Sequence, residues 1–465
     1  MMTLNLALRN LLRNRRRSLA TLLAMAIGST SILLFGGFSA NINYMMQTHH
    51  VQTSGHLQVQ QRDFYLYGSG NPTAYGINDY TSIIADIKSD PVLSSMVLVV
   101  TPNLQFGGIA ANYAANVSRT IIGNGFVPAD VNRMRLWNDF GLSTKAPPSA
   151  LEGAPVDAAV VGTGVARVLQ LCDALKIVDC PRPEKERKPE GASLPADIAE
   201  LTEQETPATV AVAKAGHPRI DVLVVNTQGA PNVTSLQVIG AEDQGIKELD
   251  EVSLMMNLKQ LQKLIYGKGP PKATSIIIQL RHSDQIPAAR ERLAPILAKY
   301  STSQPLTVLD FRQLNPFYVQ TMQMFDTIFG FVFVLIGGIV LFTVSNTMNT
   351  TVVERTVEIG TLRAIGLRRA GIRRLFVTEG ALLGLAGAVL GVVLALVLSV
   401  IINRIGMPWR PPGNVEVLPF TVTVWGEDRM IFGTTFGLIC IAVLSAWWPA
   451  HRAARLDVVE ALRHV

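Results

Sequence analysis

Charged residues are scarce in this chain of 465 residues, making up 16% of it against 48% hydrophobic residues. Soluble domains usually carry charge on about a quarter of their residues, so this balance excludes an ordinary soluble protein. The shortage of charge is also uneven, because long apolar runs flank one extended stretch of ordinary composition. We therefore expect a membrane protein with a large aqueous part.

Motifs for catalysis and nucleotide binding are missing. The sequence has no G-x-x-x-x-G-K-S/T string, which supplies the backbone amides and the lysine that hold phosphates. Gly162-Thr163-Gly164 lacks the third glycine and the helix-opening context of a dinucleotide site, and we interpret it as a turn. No H-E-x-x-H, paired C-x-x-C or G-x-S-x-G occurs. The sequence therefore predicts no catalytic residue, no metal site and no cofactor in this chain.

Cysteine is rare, with three residues in the whole chain. Cys172 and Cys180 lie close together in a segment that we place outside the cytoplasm, where disulfides persist. They could form a disulfide at the base of an insertion, about 172–207, whose Pro, Glu and Lys content predicts flexibility. The alternative is two unrelated thiols.

Four charge-free runs are each long enough to cross a bilayer, namely residues 18–41, 327–353, 380–403 and 430–450. At about 1.5 Å per residue, each run spans a hydrocarbon core of about 30 Å. The first run exceeds the roughly 7–15 apolar residues of a cleaved signal peptide, which favours an uncleaved span. The sequence therefore predicts four transmembrane helices, one before the aqueous stretch and three after it.

These patterns divide the chain into segments. They are a cytoplasmic amphipathic N-terminal helix (1–17), transmembrane helix 1 (18–46), an α+β domain outside the cytoplasm (47–321), transmembrane helix 2 (322–349), a cytoplasmic elbow (350–376), transmembrane helix 3 (377–405), an outer loop (406–428), transmembrane helix 4 (429–450) and a cytoplasmic tail (451–465). The α+β interpretation comes from β-branched runs such as Ser275–Leu280 and from helical spacing in Gln285–Lys299.

The elbow is the most charge-dense segment between the apolar runs. It contains two glutamates and six arginines, which are Glu354, Glu358, Arg355, Arg363, Arg368, Arg369, Arg373 and Arg374. An arginine excess beside spans marks the cytoplasmic side, so we expect both termini and the elbow inside and the large domain outside. The net charge of +6 is explained by topology and by contact with membrane lipids, not by nucleic-acid binding.

The elbow also has a helix-compatible run from Val352 to Ile365 that ends at Gly366. Apolar residues among its charges could seat in a groove on a cytoplasmic partner, and they are Val357, Ile359, Leu362 and Ile365. The alternative is a solvated loop that only sets topology.

Small residues recur in the third apolar run, at Gly380, Gly384, Gly387 and Gly391. Such a ladder lets helices approach closely. It predicts helix packing, either in a seam that moves or dimerises or in a static contact.

The string NTMNTTVVERTVEIGTLRAIGLRRAGIRRLFVTEGALLGLAGAVLG resembles the hallmark of FtsX-like ABC permeases, a family that includes MacB, LolC and LolE. The opening LALRNLLRNRRRSLATLLAMAIG, the middle VVGTGVARVL and IGAEDQGIKELDEVSLMMNLKQLQKLIYG, and the ending PAHRAARLDVVEALRH agree in order. The resemblance implies one span, a large periplasmic domain and three more spans, in a bacterial inner-membrane dimer with a second copy or a paralogue.

The resemblance also implies partners and site residues. Two cytoplasmic ATPase subunits, which bind ATP and Mg, would contact the elbow at Glu354, Arg355, Glu358, Gly360, Arg363, Gly366 and Arg373. Unlike MacB, the chain shows no fused nucleotide-binding domain, so we expect the ATPase on a separate chain. Its activity would drive mechanotransmission, in which span motion reshapes the periplasmic domain.

Two functions fit this resemblance. One is a non-catalytic permease subunit for export or extraction of lipophilic or lipoprotein cargo, working with a periplasmic adaptor or lipoprotein. The other is an FtsX-like transmembrane signalling scaffold that activates a periplasmic enzyme without moving cargo. The size of the aqueous domain favours the first.

Overall fold

The structure is a computed structural model that describes residues 2–13, 15–142, 146–177, 217–245, 247–410 and 417–456. The chain divides into two compact units. The helical unit consists of Met1–Met45, Phe317–Trp409 and Leu418–Val465, and the mixed unit of Met46–Pro316 and Arg410–Val417.

The elements follow one another along the chain. The described helices are α1 (Met2–Arg13), α2 (Arg15–Ser54), α3 (Phe64–Tyr67), α4 (Tyr80–Ser89), α5 (Leu93–Met96), α6 (Pro128–Arg135), α7 (Thr163–Val168), α8 (Cys172–Leu175), α9 (Lys247–Asp250), α10 (Leu258–Tyr266), α11 (Ile286–Ala298), α12 (Phe311–Leu314), α13 (Pro316–Glu354), α14 (Thr356–Ala364), α15 (Arg369–Ile405) and α16 (Asp428–Ala454). The strands are β1 (Leu57–Gln61), β2 (Val97–Asn112), β3 (Val117–Phe126), β4 (Ala158–Gly162), β5 (Arg219–Val225), β6 (Pro231–Glu242), β7 (Ser253–Asn257), β8 (Ser275–Leu280), β9 (Leu306–Asp310), β10 (Pro408–Trp409) and β11 (Leu418–Pro419).

Among the described residues, four helices are long and apolar enough to cross a membrane, and they are α2, α13, α15 and α16. They contain the four predicted apolar runs. The predicted class, four apolar helices with an α+β domain between the first and the second, is therefore confirmed. The helices extend beyond the runs because polar residues at their ends also have helical hydrogen bonding.

The glycine ladder of α15 lies inside the helical unit. A Cβ added to Gly380 would come within 2.4 Å of Ala446 Cβ on α16. A Cβ on Gly391 would come within 2.4 Å of Ser29 Cβ on α2. The ladder therefore packs α15 against two neighbouring helices of the same chain, so these glycines are not available as a dimerising surface.

The mixed unit is organised around β2. Residues Val97–Asn103 of this strand pair with β8, which continues the sheet through β1 to β9. Residues Asn103–Asn112 pair with β3 and, in part, with β5. Since β3, β7, β4, β6 and β5 pair in that order, this second part of β2 closes them into a ring. One long strand thus belongs both to the closed ring and to the open part of a single nine-stranded sheet.

Each half of β2 faces its own hydrophobic core. The ring encloses residues such as Phe106, Val222 and Leu254, with Leu261 of α10. The open sheet packs Ile276 and Ile278 against α4 and α11. β8 is buried along its whole length, which fits the three consecutive isoleucines at its centre, Ile276–Ile278. The predicted strand Ser275–Leu280 is confirmed, and the predicted helix Gln285–Lys299 is confirmed as α11.

The interpretation of Gly162-Thr163-Gly164 as a turn is wrong. Gly162 ends β4 and Thr163 opens α7. A Cβ on Gly162 would lie 2.1 Å from the carbonyl oxygen of Asp250, so this tight junction requires glycine. The buried Asp250 carboxylate accepts hydrogen bonds from the Thr163 and Gly164 backbone amides, at 2.8 and 2.6 Å. The carboxylate that caps α7 belongs to Asp250, which is distant in sequence, so the spacing of residues near Gly162 does not reveal it.

Cys172 lies in α8 and is disulfide-bonded. Its predicted partner, Cys180, and nearly all of the predicted insertion from 178 to 207 lie outside the described residues, as do 411–416 of the predicted loop and 457–465 of the predicted tail.

Candidate functional site

The elbow consists of one short helix between two breaks. α13 ends at Glu354, and Arg355 leaves helical geometry with φ −103° and ψ 17° before α14 begins. α14 ends in a Schellman motif, because Gly366 N–H bonds to the Arg363 carbonyl and Leu367 N–H to the Leu362 carbonyl. The predicted break at Gly366 is confirmed, and its φ of +103° favours glycine. The predicted continuous helix from Val352 is wrong, since Arg355 interrupts it.

A buried ion pair lies beneath the elbow. Arg355 and Glu379 are 5% and 1% exposed, and Arg355 Nη1 lies 3.2 Å from Glu379 Oε1. Asn10 of α1 joins them, because its Nδ2 donates to Glu379 Oε1 at 2.7 Å and its carbonyl accepts from Arg355 Nη2 at 3.1 Å. A buried pair contributes little net stability, but removing one partner is costly, by about 3–5 kcal/mol.

Two further ion pairs lie at the surface beside this buried pair. Arg13 Nη2 lies 2.6 Å from Glu358 Oε1, and Arg17 Nη1 lies 2.5 Å from Glu354 Oε1. All four side chains are about half exposed. Each pair is therefore worth at most about 1 kcal/mol. Both predicted coupling glutamates are paired with arginines of the N-terminal segment.

The other predicted coupling residues occupy different environments. Gly360 is buried, whereas Gly366 and Arg373 are exposed. Arg363 is half buried and donates a hydrogen bond to the backbone carbonyl of Leu456. The structure thus brings Glu354, Arg355 and Glu358 against the N-terminal segment and leaves Arg373 facing outward.

The predicted apolar docking residues do not share one face. Ile359 is 3% exposed and packs into the core of the helical unit, against which Leu362 also packs. Val357 and Ile365 are 45% and 79% exposed. Two of the four side chains therefore contact the core of the helical unit and two are open to solvent. The prediction that all four residues seat in a partner is therefore wrong for Ile359 and Leu362.

Glu379 and Asn10 were not predicted as site residues from the sequence. The apolar runs contain no charged residue, yet Glu379, directly before the third run, is a buried carboxylate in α15. The sequence did contain one sign of this site, because Glu379 is an acidic residue directly before the glycine ladder. Asn10, Arg13 and Arg17 also recur at helical spacing, which would have placed them on one face.

A serine–histidine contact in the mixed unit lacks the geometry of a nucleophile. His56 Nδ1 accepts a hydrogen bond from the Leu280 backbone amide at 3.0 Å, which places the ring proton on Nε2. Nε2 then donates to Ser283 Oγ at 3.1 Å. A histidine that donates to a serine cannot remove its proton, so this pair stabilises structure.

Residues 327–458 match the family described as FtsX-like permease C-terminal. This region contains the elbow, most of α13 and all of α15 and α16. The chain therefore contains an FtsX-like permease C-terminal domain over these residues.

The chain is similar to two curated relatives over about half its length. It is 25% identical to an ABC transporter permease of Methanocaldococcus jannaschii, over 49% of this chain and 54% of that protein. It is 26% identical to the lipoprotein-releasing system transmembrane protein LolC of Xylella fastidiosa, over 50% of this chain and 56% of that protein. The chain therefore spans about half the length of these relatives.

Among solved structures, the periplasmic region of MacB from Actinobacillus actinomycetemcomitans matches 57% of this chain and 92% of its own, with 12% identity and a TM-score of 0.30.

Proposed function

We propose that the chain is the permease subunit of an ABC transporter and that a separate cytoplasmic ATPase binds its elbow. The observation that carries the proposal is an exposed apolar and cationic surface within the matched domain. We call it the elbow surface, and it consists of Val353, Val357, Ile365, Leu367, Arg368, Arg369, Arg373 and Arg374.

The elbow surface has the properties of a docking site. Ile365 and Val353 are 79% and 67% exposed, and each lies within two residues of a charged side chain, Arg363 and Glu354. Within the described part of the chain, the arginines at 369 and 373 form no ion pair. Apolar anchors beside unpaired guanidinium groups fit a groove with acidic rims on a partner protein. The name of the Methanocaldococcus relative, ABC transporter permease, supports an ABC-type ATPase as this partner.

We further propose mechanotransmission rather than passage of a charged substrate through the spans. The runs 18–41, 327–353, 380–403 and 430–450 contain no Asp, Glu, Lys or Arg, and the buried Glu379 lies just outside the third run, where it pairs with Arg355. Ionisable residues at membrane depth usually mark paths for ions or charged substrates. In this proposal ATP-driven motion of the elbow tilts the spans, and the mixed unit changes shape in the periplasm.

The proposed cargo is lipophilic, with lipoproteins as the leading class. The name of the LolC relative, a lipoprotein-releasing system protein, supports this class. We propose that the chain extracts or exports such cargo at the outer face of the inner membrane, as one copy of a permease dimer.

The test is co-purification of the full-length chain with the ABC ATPase encoded nearest to it. We expect R369E/R373E to reduce bound ATPase at least tenfold while membrane insertion is unchanged. Arg429 is an exposed arginine at the start of α16, and R429E serves as the matched charge control. Equal ATPase binding by R369E/R373E and the unaltered chain would refute the elbow surface as the docking site.

A second measurement addresses the cargo. The complex, purified with and without ATP, is examined by mass spectrometry for bound lipoproteins. A lipoprotein released on ATP hydrolysis supports extraction. A cell-wall hydrolase that binds in its place, with no lipidated protein, would contradict it and support a signalling scaffold.

A further inference from the structure

We propose that the N-terminal segment is clamped to the elbow and carries the motion of the elbow directly into the first span. This inference rests on the proposed function, because it assigns the route by which force enters α2. We call the contact the charge clamp. It consists of Asn10, Arg13 and Arg17 on one side and Glu354, Arg355, Glu358 and Glu379 on the other.

The two sides of the charge clamp match in spacing. Arg13 and Arg17 are four residues apart, and so are Glu354 and Glu358. Arg17 pairs with the earlier glutamate and Arg13 with the later one, so the segments run in opposite directions. Both pairs form at this one alignment of the two segments, so a slip by one residue would separate both of them.

Arg355 lies at the centre of the charge clamp and fixes its register. It occupies the break between α13 and α14, and its guanidinium bonds both to Glu379 of α15 and to the Asn10 carbonyl of α1. Because the pair is buried, any motion that separates it leaves a charge without a partner in an apolar core. A change in the angle of α14 must therefore move α1 as well, or break this contact.

The charge clamp acts on the span itself. Arg17 already belongs to α2, so its pair with Glu354 links the first span to the end of α13. One turn further along, Thr21 Oγ1 lies 2.8 Å from Thr347 Oγ1, which continues the same contact. Ala7 is fully buried and Leu11 packs against the core that contains Ile359. Apolar packing thus supports the charged contacts, as expected of an element that carries force.

The first experiment measures the charge clamp without any ATPase. Full-length A7C/C440A is labelled in inside-out vesicles with a membrane-impermeant maleimide, which reaches position 7 only when α1 lifts. We expect R13E or E358R to raise the labelling rate at least fivefold, and R13E/E358R to restore it. Arg9 is exposed on the same helix and forms no ion pair among the described residues, so R9E is the matched control. Unchanged labelling in the single variants, or no restoration in the double variant, would overturn the charge clamp.

The second experiment measures coupling in the complex with the neighbouring ATPase, reconstituted in liposomes. We expect the R13E variant to bind the ATPase as the unaltered chain does, whereas permease-stimulated ATP hydrolysis by the complex should fall at least fivefold. The R13E/E358R variant should recover this hydrolysis. This differs from R369E/R373E, which should lose the bound ATPase itself. Full stimulation in R13E would overturn the route through α1. Absence of ATPase from the unaltered chain would refute the proposed function, and with it the coupling role, whatever the labelling shows.

Discussion

At the scale of single residues, Asp250 shows how one side chain joins separate parts of the mixed unit. It is 4% exposed, and both of its carboxylate oxygens accept hydrogen bonds from the residues that open α7. A charged acceptor at a helix start satisfies amides that the helix leaves free and interacts favourably with its dipole. The Gly162-Thr163-Gly164 segment depends on this contact from a distant part of the sequence.

We therefore expect D250A to lower the free energy of unfolding by about 3 kcal/mol, because two buried amides lose their acceptor. D250N should cost about half as much, since its single carbonyl oxygen still accepts one bond. Glu248 lies in the same short helix and is exposed, so E248A is the matched control. The measurement is denaturant unfolding of the purified protein in detergent, and equal midpoints for D250A and E248A would contradict the prediction.

The stability of the mixed unit should depend on pH through His56. His56 is fully buried beside Trp137, and burial lowers its pKa from 6.5 to about 4, with the nearby His282 adding to the shift and Asp139 opposing it. The folded chain thus binds this proton less readily than the unfolded chain. Its contribution to stability is complete above pH 6.5 and is lost as the pH falls toward 4.

When the pH is lowered from 7.5 to 5, we expect the lowered pKa of His56 to reduce the free energy of unfolding by about 2 kcal/mol. H56N removes the titration while its carbonyl oxygen can still accept from the Leu280 amide. Thermal unfolding at several pH values should therefore show a flatter profile for H56N than for the unaltered chain. Parallel profiles would show that His56 does not cause the loss.

At the scale of elements, the sequence predicts the site only in part. The arginine excess and Gly366 located the elbow, because charge and backbone freedom are local properties. The contact between Arg355 and Glu379 was not predictable in the same way, since no periodic pattern shows which helices meet. Ile359 is buried and Ile365 is exposed because one side of α14 packs against the other helices. The sequence of the elbow alone does not show which side that is.

The glycine ladder gives a prediction for one helix pair. A Cβ on Gly391 would come within 2.8 Å of the Ala26 backbone carbonyl, and backbone cannot move aside as a flexible side chain can. We expect G391A to lower stability by about 2 kcal/mol through overpacking between α15 and α2. Gly338 in α13 has no atom within 4 Å of an added Cβ, so G338A should be neutral or slightly stabilising. Thermal inactivation of the two variants in detergent distinguishes them, and equal loss would contradict the packing argument.

At the scale of the whole molecule, the four spans follow from composition, but the arrangement of the sheet does not. Strands such as β8 are recognisable because β-branched residues fill a buried strand. Nothing local in Val97–Asn112 shows that its halves join the ring and the open part of the sheet, because this depends on pairing with β5 and β8, which are distant in sequence. The parallel pairs β3–β7 and β4–β6 are also formed between distant segments.

The last prediction concerns the orientation of the molecule. Arginine-rich segments are retained in the cytoplasm, so the elbow should lie inside and the residues between α15 and α16 outside. Cysteines placed one at a time at Ile365, Trp425 and Tyr67 test this, since these side chains are 79%, 82% and 70% exposed. In a C440A background, an impermeant maleimide should label W425C and Y67C in intact spheroplasts, and I365C only after permeabilisation. Labelling of I365C in intact spheroplasts would invert the topology. It would also remove the elbow from the compartment that contains ATP, and with it the proposed route of energy into the spans.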